Sequence, residues 1–250
     1  MSVQKSTWGA FPALVTYTLR ACLPVRRLVG IGLLCGAALL LGLAARPIAD
    51  LPDSAFFDVA NAGLFPLVLP IAGLLVGDAV LGAEIRRGTF HFTWLSPVPA
   101  AHIAMARWLA GSAVVLVTVV PAFAGAALVA GSPESALPAA AGAVFGGIAY
   151  VAVLEAVGAT FRRAAVVSLV LVFLVERLLG TALSGIAQWS PQWEAGAVFG
   201  AWSPAGDDRS LRSGIPTGAD AVVRLLVITA IGLALAVWRL RRITLASAAD

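Results

Sequence analysis

Six apolar runs, each close to the length of a bilayer-spanning helix, constrain this chain more than any motif does. About 20 apolar residues cover the ~30 Å hydrocarbon core as an α-helix, and in lipid every backbone N–H and C=O has to be paired within the protein. Runs at about 28–45, 59–81, 103–131, 136–160, 164–179 and 219–238 meet that description. Charged residues make up 12% of the chain, about half the ~25% of a soluble domain, so lipid is the expected solvent. The fold class that follows is all-α. It is a polytopic membrane protein with one transmembrane domain over 1–250 and no room for a separate soluble domain of ordinary size.

The runs are not uniform. Pro66 and Pro70 fall inside the second and predict a kink or local unwinding, and Pro121 predicts a bend in the third. The fifth is short: only 164–175 is uncharged, and Glu176-Arg177 read as its outer end. The stretch 178–202, rich in Trp, Gly and Ser, then reads as a re-entrant outer segment between spans five and six. Ahead of the first run, Trp8, Phe11, Val15, Leu19 and Cys22 recur at helical spacing. They predict an interfacial helix over 7–25. The first run begins only at Leu28, so no cleaved signal peptide is expected. The short segment after the last run leaves no attached recognition domain expected.

Basic residues in the short loops set the orientation. With the N-terminus inside, 12 Lys and Arg fall on the inner side and 5 on the outer, the latter being Arg46, Arg177, Arg209, Arg212 and Arg224. Both termini are therefore expected in the cytoplasm. The same clustering at the ends of apolar runs accounts for the basic pI, so no nucleic acid partner is expected.

Several chemistries are excluded by what the chain lacks. Lys5 is its only lysine and follows Met-Ser-Val-Gln, so no Walker A motif, with its lysine behind a glycine-rich turn, is encoded here. His91 and His102 lie in the loop between runs two and three, away from the Ser184-Gly185 turn near the opposite side. A serine nucleophile at that turn would have no base. Two histidines 11 apart, with no cysteine near them, make neither a metal site nor a haem site within the bilayer. Cys22 and Cys35 have no redox or metal spacing and read as small buried hydrophobes.

What remains is the segment 84–100. Arg86 and Arg87 mark where the second helix leaves the bilayer, Gly88 is a helix stop, and Ser96 with Pro97 is a restart signal. Between them Thr89-Phe90-His91-Phe92-Thr93-Trp94-Leu95 is too short to span and too aromatic for an idle solvated loop. It reads as an element at the membrane surface with apolar knobs for a partner, or as an interfacial aromatic anchor.

Glu84-Ile85-Arg86-Arg87-Gly88-Thr89, followed by Leu95 and Pro97, resembles the E-x-x-x-G-T…L…P signature between spans two and three of ABC-2 type transporter permeases. The layout of interfacial helix, six spans and re-entrant segment is similar to theirs along the whole chain. The resemblance implies a coupling loop formed by Glu84, Arg86, Arg87, Gly88, Thr89, Phe90, Phe92, Trp94 and Pro97. That loop would dock on a cytoplasmic ABC ATPase subunit. It also implies pairing with a second permease copy or a paralogous permease, and export across a bacterial cytoplasmic membrane. No cofactor would be bound by this chain, ATP and Mg being held by the partner ATPase. The chain would then be a transport subunit without catalytic residues of its own. The importer pattern E-A-A followed by a glycine and I-x-L-P does not fit the spacing.

Charges deep in lipid are costly and often functional. Asp78 and Glu155, near the inner ends of spans two and four, are candidates for a gate or for structural pairs with nearby arginines. They also define the competing reading, a proton-coupled secondary transporter. A membrane-bound enzyme or assembly scaffold stands third. Gly32 and Gly36 form a G-x-x-x-G in span one, and Gly142 and Gly146 another in span four. The resemblance places spans one and five at the subunit interface, which makes Gly32 and Gly36 the interface candidates.

Overall fold

The computed structural model describes residues 3–46, 52–82, 84, 98–161, 163–206 and 217–242. Within them every regular element is helical. We number these α1 (Val3–Cys22), α2 (Val25–Ala45), α3 (Pro52–Leu81), α4 (Ala100–Ala130), α5 (Pro133–Thr160), α6 (Ala164–Ala182), α7 (Pro191–Trp202) and α8 (Ala219–Arg242). Six of them, α2 to α6 and α8, are long and apolar enough to cross a membrane. This is a multi-pass, all-α membrane protein.

α3 and α5 are the most enclosed spans, while α2, α6 and α8 turn much of their surface outward. Close approach depends on missing side chains. A Cβ on Gly73 would stand 2.9 Å from Tyr150 Cβ, and one on Gly77 only 2.5 Å from Leu154 Cβ, so α3 lies directly on α5. A Cβ on Gly42 would run into the main chain of Ala126, which fixes α2 on α4.

Pro66 and Pro70 do more than bend α3: Ala60–Val68 is a π-helix. Pro70 has no N–H for the Pro66 carbonyl four residues earlier, and the Leu69 N–H bonds back to Leu64 O, five residues away. The widened turn leaves Pro66 O within 3.5 Å of the Arg177 guanidinium. Pro121, by contrast, leaves α4 helical from Ala100 to Ala130. That helix starts after Pro99, whose carbonyl accepts from His102 and Ile103; Ser96 and Pro97 lie outside the described residues. Its end is a Schellman turn, with Gly131 at φ 85° and the Ser132 N–H reaching back to Ala127 O at 3.0 Å.

The largest departure from the sequence expectations is in α6. Glu176 and Arg177 do not end it, because the helix continues to Ala182. Leu171–Leu179 is a second π stretch, closed by the Gly180 N–H on Val175 O. Glu176 is buried and accepts the hydroxyl of Tyr150 from beyond the midpoint of α5. Both charges are tolerated inside because each has found a polar partner there. After a single turn at Ser184–Ala187, α7 runs antiparallel to α5. It begins beside Gly146 and ends where Ser203 Oγ lies 3.4 Å from Ser135 Oγ. It is buried against α3, α5 and α8, and Phe199 stacks on Phe57 with centroids 5.5 Å apart. Gly142 and Gly146 serve this contact within the chain, facing Ala195.

Candidate functional site

The polar groups gather at the end of the bundle where α1 meets α2, where α3 ends, and where α4 begins. We call it the basic end. The last turn of α3, Asp78–Gly82, is again a π-helix. The final carbonyls of any helix lack an intrahelical donor, and cations are favoured beside them. Arg107 supplies both. Among the described residues it is the largest fully buried side chain, carried about two turns into α4. Its Nη1 donates to Val80 O at 2.5 Å, and its Nη2 bonds Glu84 Oε2 at 2.6 Å.

Glu84 is itself buried, just beyond the end of α3. A charge-assisted pair so nearly dry holds the end of α3 against the start of α4, and the segment 85–97 is strung between the two. Glu155, on α5 and fully buried, lies within electrostatic reach of the same guanidinium. Neither of its carboxylate oxygens accepts a hydrogen bond among the described residues. Arg107 is thus bonded to the carboxylate of Glu84 and acts on that of Glu155 only at longer range.

A second pair lies alongside. Arg27 Nη2 is 3.7 Å from Asp78 Oδ2, and Arg27 Nη1 also donates to Ala21 O at 2.5 Å, tying α1 to α2 and α3. Cys22 is buried between these groups. Desolvation pushes its thiol up to about 11, more than the neighbouring Arg27 and Arg107 charges pull it down. α1 packs along α4, and Phe11 meets His102 edge-on with centroids 6.2 Å apart.

The sequence candidates are therefore distributed as follows. Glu84 is bonded to Arg107, Glu155 lies within electrostatic reach of it, and Asp78 pairs with Arg27. Arg86, Arg87, Gly88, Thr89, Phe90, Phe92, Trp94 and Pro97 lie outside the described residues. A Cβ on Gly32 or Gly36 would meet no atom within 4 Å among the described residues.

Sequence reasoning missed Arg107 as a site residue, although an arginine inside the apolar run 103–131 carried the same warning as Asp78 and Glu155. It also missed the polar cluster farther along the bundle. There the Glu176 carboxylate meets the Tyr150 hydroxyl, the Gln192 main chain reaches that hydroxyl from α7, and Trp193 Nε1 donates to Glu176 O at 3.3 Å. Glu194, fully buried on α7, lies 4.0 Å from Arg224 of α8.

No protein-family model matches the chain, and no curated protein matches it.

Proposed function

We propose that this chain is the membrane-spanning permease subunit of an ATP-driven ABC exporter in a bacterial cytoplasmic membrane, with both termini cytoplasmic. A separate ATPase subunit would hold ATP and Mg, and a second permease copy or a paralogous permease would complete the translocation path. Closure of the ATPase pair would push the 84–100 segment, and the spans would exchange inward and outward access.

The observation that carries this reading is the bracket formed by Glu84 and Arg107 around that segment. A loop that transmits force needs a stiff mount. Here its first residue is bonded to the α4 guanidinium that also holds the end of α3. Displacement of the loop would reach two spans through one side chain. The motif resemblance and the basic asymmetry of the loops support the same reading. The test is hydrolysis. The purified chain in lipid is expected to have no ATPase activity above background, and a co-purifying ATPase to supply it. Robust hydrolysis by a preparation free of other proteins would end the proposal.

A proton-coupled secondary transporter is the second reading. It rests on Glu155, a carboxylate fully buried in a span and accepting no hydrogen bond among the described residues. Asp78, the other residue it would use, is paired with Arg27.

A further inference from the structure

The flank formed by α5 and α8 carries a groove of about 450 Å3 with an apolar floor and a basic end. Val153 and Val157 of α5 form one wall, Ile231 and Leu235 of α8 the other, and Trp189 closes one end. Trp238 and Arg239 stand at the other, beside Thr160. From Val153 to Thr160 the groove follows eight residues of α5, about 12 Å of helical rise, enough for the upper half of an acyl chain.

Two of the charges there are held in place. Arg239 Nη2 donates to Thr160 O at 3.3 Å, and its guanidinium lies 5.7 Å from the centre of the Trp238 ring. Arg242 sits over the same ring at 4.3 Å. None of Arg239, Arg241 and Arg242 has a carboxylate partner among the described residues.

We infer that this groove binds one anionic phospholipid, an acyl chain lying between α5 and α8 and the phosphate between Arg239 and Arg242. An apolar slot in a spanning surface already selects a lipid chain. A pair of cations held at its end by a tryptophan selects a negative headgroup over a zwitterionic one. The site is separate from the 84–100 segment and stands whether or not that segment couples to an ATPase.

Native mass spectrometry of the full chain, equilibrated with phosphatidylglycerol or phosphatidylcholine of identical acyl chains, tests it. The unaltered protein retains one phosphatidylglycerol, preferred about fivefold or more over phosphatidylcholine, since one basic side chain at the surface is worth about that factor. R239Q lowers phosphatidylglycerol retention about fivefold and leaves phosphatidylcholine unchanged. V157W, which fills the slot from its rim, lowers both. Equal retention of the two lipids, or phosphatidylglycerol retention untouched by R239Q, overturns the assignment. So does a V157W variant that loses a dimer and keeps its lipid, which would give the groove to a second copy of the chain.

Discussion

Arg107 and Glu84 are bonded at 2.6 Å, one on each flank of the segment 85–97, in a site almost free of solvent. Breaking a buried pair by removing one member costs about 3–5 kcal/mol, because the other is left charged and dry. Arg107→Ala removes the donor to Val80 O and strands Glu84, so it is expected to lower the thermal unfolding temperature in detergent more than Glu84→Gln does. Glu84→Gln in the Arg107→Ala background recovers part of the loss, since it removes the stranded charge. Strictly additive effects would show that Arg107 and Glu84 are not coupled.

Tyr150→Phe keeps the packing of the ring against α3 but deprives Glu176 of its hydroxyl donor. A buried acceptor left unsatisfied costs about 1–3 kcal/mol. The expected result is a drop of that size in unfolding free energy, largely absent when Tyr150→Phe is made together with Glu176→Gln. An unchanged melting curve for Tyr150→Phe alone would place Glu176 elsewhere.

These two clusters show what the sequence carries and what it withholds. Spans are legible because hydrocarbon thickness and backbone pairing impose a length and a composition on each helix separately. The irregularity of α3 is equally local, since Pro66 and Pro70 announce the carbonyls they cannot pair. The meaning of a charge is not local. Glu176 beside Arg177 has the look of a membrane boundary until Tyr150, 26 residues earlier, and Pro66, 111 residues earlier, turn out to be their partners. Arg107 was counted only as one more basic residue near a loop, because nothing in its neighbours says that Glu84, 23 residues earlier, bonds it.

Glycine positions separate contacts inside the chain from surfaces it leaves open. Gly42→Val is expected to destabilise the fold, since its side chain would overlap the Ala126 main chain. A Cβ on Gly32 or Gly36 meets no atom within 4 Å among the described residues, so Gly32→Ala and Gly36→Ala should leave the melting temperature of the isolated subunit unchanged. If α2 forms the subunit interface, the same two variants reduce cross-linked dimer in membranes. Unaltered dimer would move the interface off this face of α2.

Topology is open to thiol labelling in intact cells. In a background lacking Cys35, Cys22 should stay unlabelled, because burial pushes its thiol up to about 11 and almost no thiolate exists at pH 7 to 8. With both native cysteines removed, Glu134→Cys, exposed in the turn between α4 and α5, should react with an impermeant reagent. Leu23→Cys, exposed between α1 and α2, should react only after permeabilisation. The reverse pattern would invert the orientation given by the basic loops.

The central claim is that the 84–100 segment receives force from an ATPase, and transport by loop and carboxylate variants measured side by side tests it most directly. Gly88→Pro and Trp94→Ala leave the Glu84–Arg107 mount in place, so they probe the loop without loosening its attachment. In vesicles containing the permease and its co-purified ATPase, both are expected to insert normally, yet to lose ATPase binding or hydrolyse ATP without transport. Asp78→Asn and Glu155→Gln are expected to retain ATP-dependent transport. Full transport by both loop variants, with transport abolished by the two carboxylate variants, would contradict the account and favour proton coupling.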